Sequence, residues 1–143
     1  MATVEKTVSL YRTQREFLDS NALFRGFAGG IASGKSWVGA YDMIRRAKPD
    51  RLYMVVAPTY TLMADSSFRS VEKIARELGL IRHIAKGKPP YLKLATGAEI
   101  LFRSADQPNM LRGPNLSGVW MDEASLIEQE GFDIMIGRLR EGG

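Results

Sequence analysis

Gly29-Gly30-Ile31-Ala32-Ser33-Gly34-Lys35-Ser36 is the stretch that decides the fold. It satisfies G-x-x-x-x-G-K-[ST], the phosphate-binding loop of nucleoside triphosphatases. Each residue type in it has a physical task. Glycines let the backbone curl tightly round a phosphate chain with its N–H groups turned inward. The start of the following helix adds partial positive charge at the same place. Lys35 has the reach to meet β- and γ-phosphates, and the Ser36 hydroxyl is suited to hold Mg2+. Gly29, Gly30, Ser33, Gly34, Lys35 and Ser36 are therefore the expected ATP-binding residues. The surroundings agree: the apolar run Ala22 to Ala28 reads as a strand delivering the loop, and Lys35 to Ala47 reads as the helix leaving it. A glycine-rich turn that spelled the pattern by chance would lack that context.

Outward from the loop, strands and helices alternate. Before it, Arg12 to Asp19 reads as a short helix with Phe17 and Leu18 turned inward. After it, the helix carries Trp37, Tyr41 and Ile44 near one face, and Pro49 stops it. Leu52 to Ala57 is a continuous apolar run closed by Pro58, the pattern of a strand buried on both faces. Leu62 to Leu78 reads as a helix with Phe68, Val71, Ile74, Ala75 and Leu78 as its core stripe. Tyr91 to Ala95 and Ala98 to Phe102 flank Thr96-Gly97 and read as a hairpin. Leu116 to Met121 reads as another buried strand, followed by a helix from Ser125 to Arg140. This alternation predicts an α/β layered fold with a mainly parallel sheet, its function at the carboxyl ends of the strands.

Composition narrows the chemistry. A chain of 143 residues is expected to form one domain. Its 20 Lys+Arg against 16 Asp+Glu give a net charge of +4, a modest excess compatible with a polyanionic partner. The absence of cysteine excludes disulfides, thiolate metal sites and cysteine nucleophiles. No apolar run is long enough to cross a membrane, and the N-terminus carries no signal core. The sole histidine, His83, reads as a surface or loop residue rather than a ligand.

A triphosphatase also needs an acid beside its metal and a group to position the attacking water. Val119-Trp120-Met121-Asp122-Glu123 ends an apolar strand in two carboxylates. Asp122 is the expected metal-side acid, acting with Ser36, and Glu123 the expected base for water. Acids at this position also suit the start of a helix for dipole reasons; the Gly-rich loop is what favours the catalytic reading. Tyr11 and Gln14 lie just upstream of the loop. Their ring and amide suit an adenine clamp, although a plain N-terminal helix with a surface Gln fits as well. Arg112, Arg138 and Arg140 are candidates for the cation that meets charge on the transferring phosphoryl group.

Together, Tyr11-Arg12-Thr13-Gln14, Gly29 to Ser36, Val56-Ala57-Pro58-Thr59-Tyr60, Leu111-Arg112-Gly113 and Val119 to Ala124 resemble the ATPase domain of the large terminase subunit, the DNA-packaging motor of tailed bacteriophages. The resemblance implies a three-layer P-loop NTPase fold of the RecA-like ASCE type. It implies an adenine contact at Gln14, with Tyr11 beside it, and Arg112 as a finger acting on a neighbouring subunit's ATP. It also implies double-stranded DNA, a small terminase subunit, a portal protein and further copies of the chain as partners, in the host bacterial cytoplasm. Many terminases carry an arginine inside the loop where Ile31 stands here, so no such role carries over. The family continues beyond the acidic pair with another core strand, a coupling segment and a nuclease domain. Residues 1–143 are therefore expected to be a partial ATPase domain without the nuclease, incomplete at the C-terminus, with an exposed sheet edge favouring self-association. Three readings stay open: a packaging motor domain, a non-catalytic nucleotide-binding or assembly module, and another DNA-dependent ATPase such as a helicase.

Overall fold

The computed structural model describes residues 9–29, 34–87 and 89–139. Its centre is β1 (Leu52–Ala57), where Met54, Val55 and Val56 have no exposed surface. Such burial needs cover on both faces, and the β-branched and apolar run supplies it. The five-stranded sheet has the order β2-β3-β4-β1-β5, with β2 (Ile81–Ala85), β3 (Tyr91–Leu94), β4 (Glu99–Ser104) and β5 (Gly118–Met121). β1 pairs in parallel with β4 on one side and β5 on the other. β3 runs antiparallel to both β4 and β2, so it alone opposes the common direction. The sheet is thus mainly parallel in direction, with an antiparallel hairpin where Thr96-Gly97 predicts one.

Side chains alternate across β1 and divide the core in two. Tyr53, Val55 and Ala57 face α2 (Lys35–Arg46) and α4 (Arg69–Glu77), where Phe68 meets Phe102 edge to face at 4.8 Å. Met54 and Val56 face the other way, with Leu111, Leu116, Ile134 and Met135 beneath α5 (Gln129–Arg138). Helices on both faces of the sheet make three layers, as expected. α1 (Arg12–Asp19) has the predicted bounds and buries Leu18.

Four features depart from the sequence reading. Residues 22–28 form no strand. An extended segment becomes a strand only by exchanging hydrogen bonds with a neighbour, and among the described residues none lies beside it. Leu23 and Phe24 are exposed instead (84% and 60%). What fixes the segment is a side chain: Arg25 forms a bidentate pair with Asp42 of α2, lies over the Phe17 ring and donates to the Phe17 carbonyl. β2, containing His83, is a strand that the sequence reading left unassigned, although His83 is exposed as expected. The helix after β1 is not uniform. It begins as α3 (Tyr60–Leu62), widens into a π-helical segment over Met63–Phe68, and narrows again into α4. Finally, the helix expected over residues 125–140 is a 3-10 turn (Ala124–Leu126) followed by α5.

Candidate functional site

β5 ends at Met121, and the backbone ladder runs one residue further: the Asp122 N–H donates to the Val56 carbonyl at 2.8 Å. Asp122 is thereby held at the carboxyl edge of the sheet, and it is buried (5% exposed). α2 begins at the same edge. Its N-terminal cap is Gly34, in the left-handed region at φ +79°. A Cβ there would stand 2.5 Å from the Gln14 amide nitrogen, the movable end of a side chain, so it is the left-handed backbone that demands glycine.

This geometry brings two predicted groups together from opposite ends of the sequence. The Ser36 hydroxyl lies 3.3 Å from each carboxylate oxygen of Asp122, and Lys35 Nζ lies 3.8 Å from Glu123 Oε1. Lys35 and Glu123 remain about one-third exposed, open to a ligand (32% and 38%). Glu123 is one of two described non-glycine residues with positive φ (52°), and its N–H donates to Asp122 Oδ1 at 3.1 Å. A left-handed non-glycine residue stores strain of the sort that clusters at functional sites.

The donor set has a definite chemical character. Ser36 and Asp122 offer hard oxygen ligands, which suit Mg2+ held by one carboxylate, one hydroxyl, phosphate oxygens and water. No group of three or more His, Cys, Asp or Glu that could hold a metal occurs among the described residues. The arrangement therefore fits a nucleotide-borne cation better than a self-sufficient protein cage.

The remaining candidates are placed as follows. Gln14 is not a surface residue: it is buried (5% exposed), accepts from the Tyr11 N–H at 3.0 Å and presents its amide nitrogen to Gly34. Tyr11 caps α1 with its ring exposed. Gly29 is exposed at the mouth of the loop, while Gly30, Ile31 and Ser33 lie outside the described residues, as does Arg140. Arg112 follows the 3-10 turn Pro108–Leu111 and pairs with Glu130 of α5 at 3.8 Å, not with the Lys35–Glu123 cluster. Arg138 sits at the end of α5, where its carbonyl accepts from the Leu116 N–H.

Sequence reasoning missed two serines. The Ser67 hydroxyl donates to Asp122 Oδ2 at 2.8 Å, and the Ser66 hydroxyl to Ser36 Oγ at 3.3 Å. A signal existed: Ser67 is four residues before Val71, on the apolar stripe of its helix, where a hydroxyl requires a partner.

Lys35 and Ser36 at the head of α2, beside acids at the end of a parallel strand in a three-layer α/β structure, mark a protein of the P-loop NTPase fold. The family model described as phage terminase large subunit matches residues 21–143, and the chain belongs to that family. It is 32% identical over 120 residues to the PBSX phage terminase large subunit of Bacillus subtilis (strain 168), covering 82% of this chain and 28% of that protein. The fold matches a large terminase from a thermophilic bacteriophage, solved in complex with ADP, at a TM-score of 0.72 and 14% identity, over 92% of this chain and 36% of that one. It matches the Thermus phage P74-26 large terminase ATPase domain at 0.65 and 23% identity, over 91% and 61% of the two chains. The chain thus spans little more than a quarter of the curated relative's length (28%).

Proposed function

We propose that this chain is the ATP-binding part of a terminase motor: an ATPase domain that hydrolyses Mg2+-ATP to drive double-stranded viral DNA into procapsids. The observation that carries the reading is the convergence of Lys35 and Ser36 with Asp122 and Glu123, through contacts of 3.8 and 3.3 Å. The ADP bound by the thermophilic-phage relative supports a nucleotide as ligand.

Each side chain then has a task. Lys35 leaves Glu123 and meets the β- and γ-phosphates. Ser36 and Asp122 would hold Mg2+, which would supply charge neutralisation at the phosphates. Glu123 orients the attacking water and accepts its proton. Gln14, fixed between Tyr11 and Gly34, reads the adenine edge, and Tyr11 supplies an exposed ring beside it. Arg112 is exposed and directed at Glu130, which supports a role on a neighbouring subunit's ATP rather than its own. A ring of such subunits would work with DNA, the small terminase subunit and the portal in the host cytoplasm. No helix among the described residues is long and apolar enough to cross a membrane.

The test is a comparison of nucleotide binding and turnover. Lys35→Ala should abolish ATP binding. Glu123→Gln should bind at least as tightly as the unaltered chain, because a carboxylate repelling the triphosphate is gone, while turnover falls by about 100-fold or more. Normal hydrolysis by Glu123→Gln would remove the assigned base.

A further inference from the structure

The π-helical segment Met63–Phe68 is the feature that neither the phosphate loop nor the acidic pair accounts for. Such segments are rare and frequently lie at functional sites. Here the widened turn carries Ser66 and Ser67, and each hydroxyl reaches a different residue of the expected metal site. Ser67, with no exposed surface, donates to Asp122 Oδ2 at 2.8 Å. Ser66 donates to Ser36 Oγ at 3.3 Å, and Ser36 in turn lies 3.3 Å from Asp122.

We propose that Ser66 and Ser67 are positioning residues that aim Ser36 and Asp122 at the nucleotide-bound Mg2+. The valences are consistent. A hydroxyl has one proton and two lone pairs. The Ser36 proton is directed to Asp122, one lone pair is taken by Ser66, and the other is left for the cation. Of the Asp122 oxygens, Oδ1 accepts from the Glu123 N–H and Oδ2 from Ser67, so the carboxylate plane is fixed at both ends. Outer partners of this type set ligand orientation, and their loss commonly weakens metal affinity by about 10- to 100-fold. The short helix α3 joins this turn to β1, with Thr59 Oγ1 accepting the Leu62 N–H at 3.2 Å. The end of the central strand therefore fixes where the two serines stand.

This proposal rests on the nucleotide reading of the site. Binding of ADP to the 143-residue chain is titrated in EDTA and then against Mg2+, for the unaltered chain, Ser67→Ala and Ser66→Ala. Ser67→Ala should keep its metal-free ADP affinity and require about tenfold more Mg2+ for the half-maximal gain in affinity. Ser66→Ala, half-buried and free of any folding penalty from a core vacancy, should shift the same midpoint in the same direction by less. A metal-free affinity unchanged in both variants shows that each is folded. If Ser67→Ala fails to fold, the midpoint of Ser66→Ala decides alone. Unmoved Mg2+ midpoints would overturn the positioning role and leave the nucleotide site standing. No Mg2+-dependent ADP binding by the unaltered chain would overturn the functional reading and this inference with it.

Discussion

The indole of Trp120 on β5 lies directly over Gly39 of α2, so that a Cβ on Gly39 would stand 2.3 Å from Trp120 Cε2. This contact sets the spacing between the helix that leaves the phosphate loop and the strand that carries the acids. Both predicted halves of the site sit on these two elements, Lys35 at the head of α2 and Asp122 just past the end of β5.

Gly39→Ala should therefore destabilise the chain, although alanine is the better helix former by about 1 kcal/mol. The rigid ring cannot yield as a flexible chain would, and overpacking of this type costs about 1–3 kcal/mol. Urea unfolding should show a lowered midpoint, and ADP affinity should fall with it. Trp120→Phe combined with Gly39→Ala should recover part of the loss. An unaltered unfolding midpoint for Gly39→Ala alone would mean the two elements are not held by this contact.

Asp42 is buried on α2 (8% exposed) and receives Arg25 Nη1 at 2.9 Å and Arg46 Nε at 2.8 Å. Arg46 also donates to the Leu18 and Ser20 carbonyls, tying the end of α1 to the same cluster. Removing the carboxylate leaves partly buried guanidinium groups without a counter-charge, held by backbone carbonyls. Asp42→Ala should cost about 3 kcal/mol of stability, at the lower end for broken buried pairs because Arg46 keeps contact with water. Arg25→Ala should instead loosen the segment leading into the phosphate loop. Limited proteolysis around residues 21–28 reads that loosening, and unchanged cleavage would show that Arg25 does not anchor it.

Alkaline pH probes the far side of the sheet. Burial pushes the Tyr91 hydroxyl up to about 12, helped by its 2.6 Å hydrogen bond to Glu99 and by that carboxylate's charge. The folded-state value lies above the ordinary 10.0, so Tyr91 contributes stability that is fully present below about pH 10 and lost as pH rises toward 12. Unfolding midpoints should fall across that window, and Tyr91→Phe should flatten the fall. An equal fall in Tyr91→Phe would assign it to other groups.

How much of this was legible in the sequence depended on whether the signal was local. The phosphate loop, α1, β1 and the hairpin at Thr96-Gly97 declare themselves through spacing and turn chemistry; α1, β1 and the hairpin stand where those patterns put them, and residues 30–33 of the loop lie outside the described residues. The acidic pair was legible because an apolar run ended in it. The run Ala22 to Ala28 misled because it has strand composition, yet strand formation needs a partner that composition cannot report. The π-helical turn was invisible for a related reason. The 3.6-residue stripe through Phe68, Val71 and Ile74 is continuous, and nothing in it marks where the helix widens. Ser67 interrupts that stripe, but its meaning is fixed only by Asp122, which lies 55 residues on.

The proposed function requires one Mg2+-nucleotide between the head of α2 and the end of β5. The most direct measurement is a crystal structure of the chain with ADP and Mn2+ substituted for Mg2+, located by its anomalous scattering. The expected result is a peak at about 2.2 Å from Ser36 Oγ, on the side facing Asp122, with the Lys35 ammonium turned from Glu123 to the β-phosphate. A peak remote from Ser36 and Asp122, or ADP bound without touching Lys35, would contradict it.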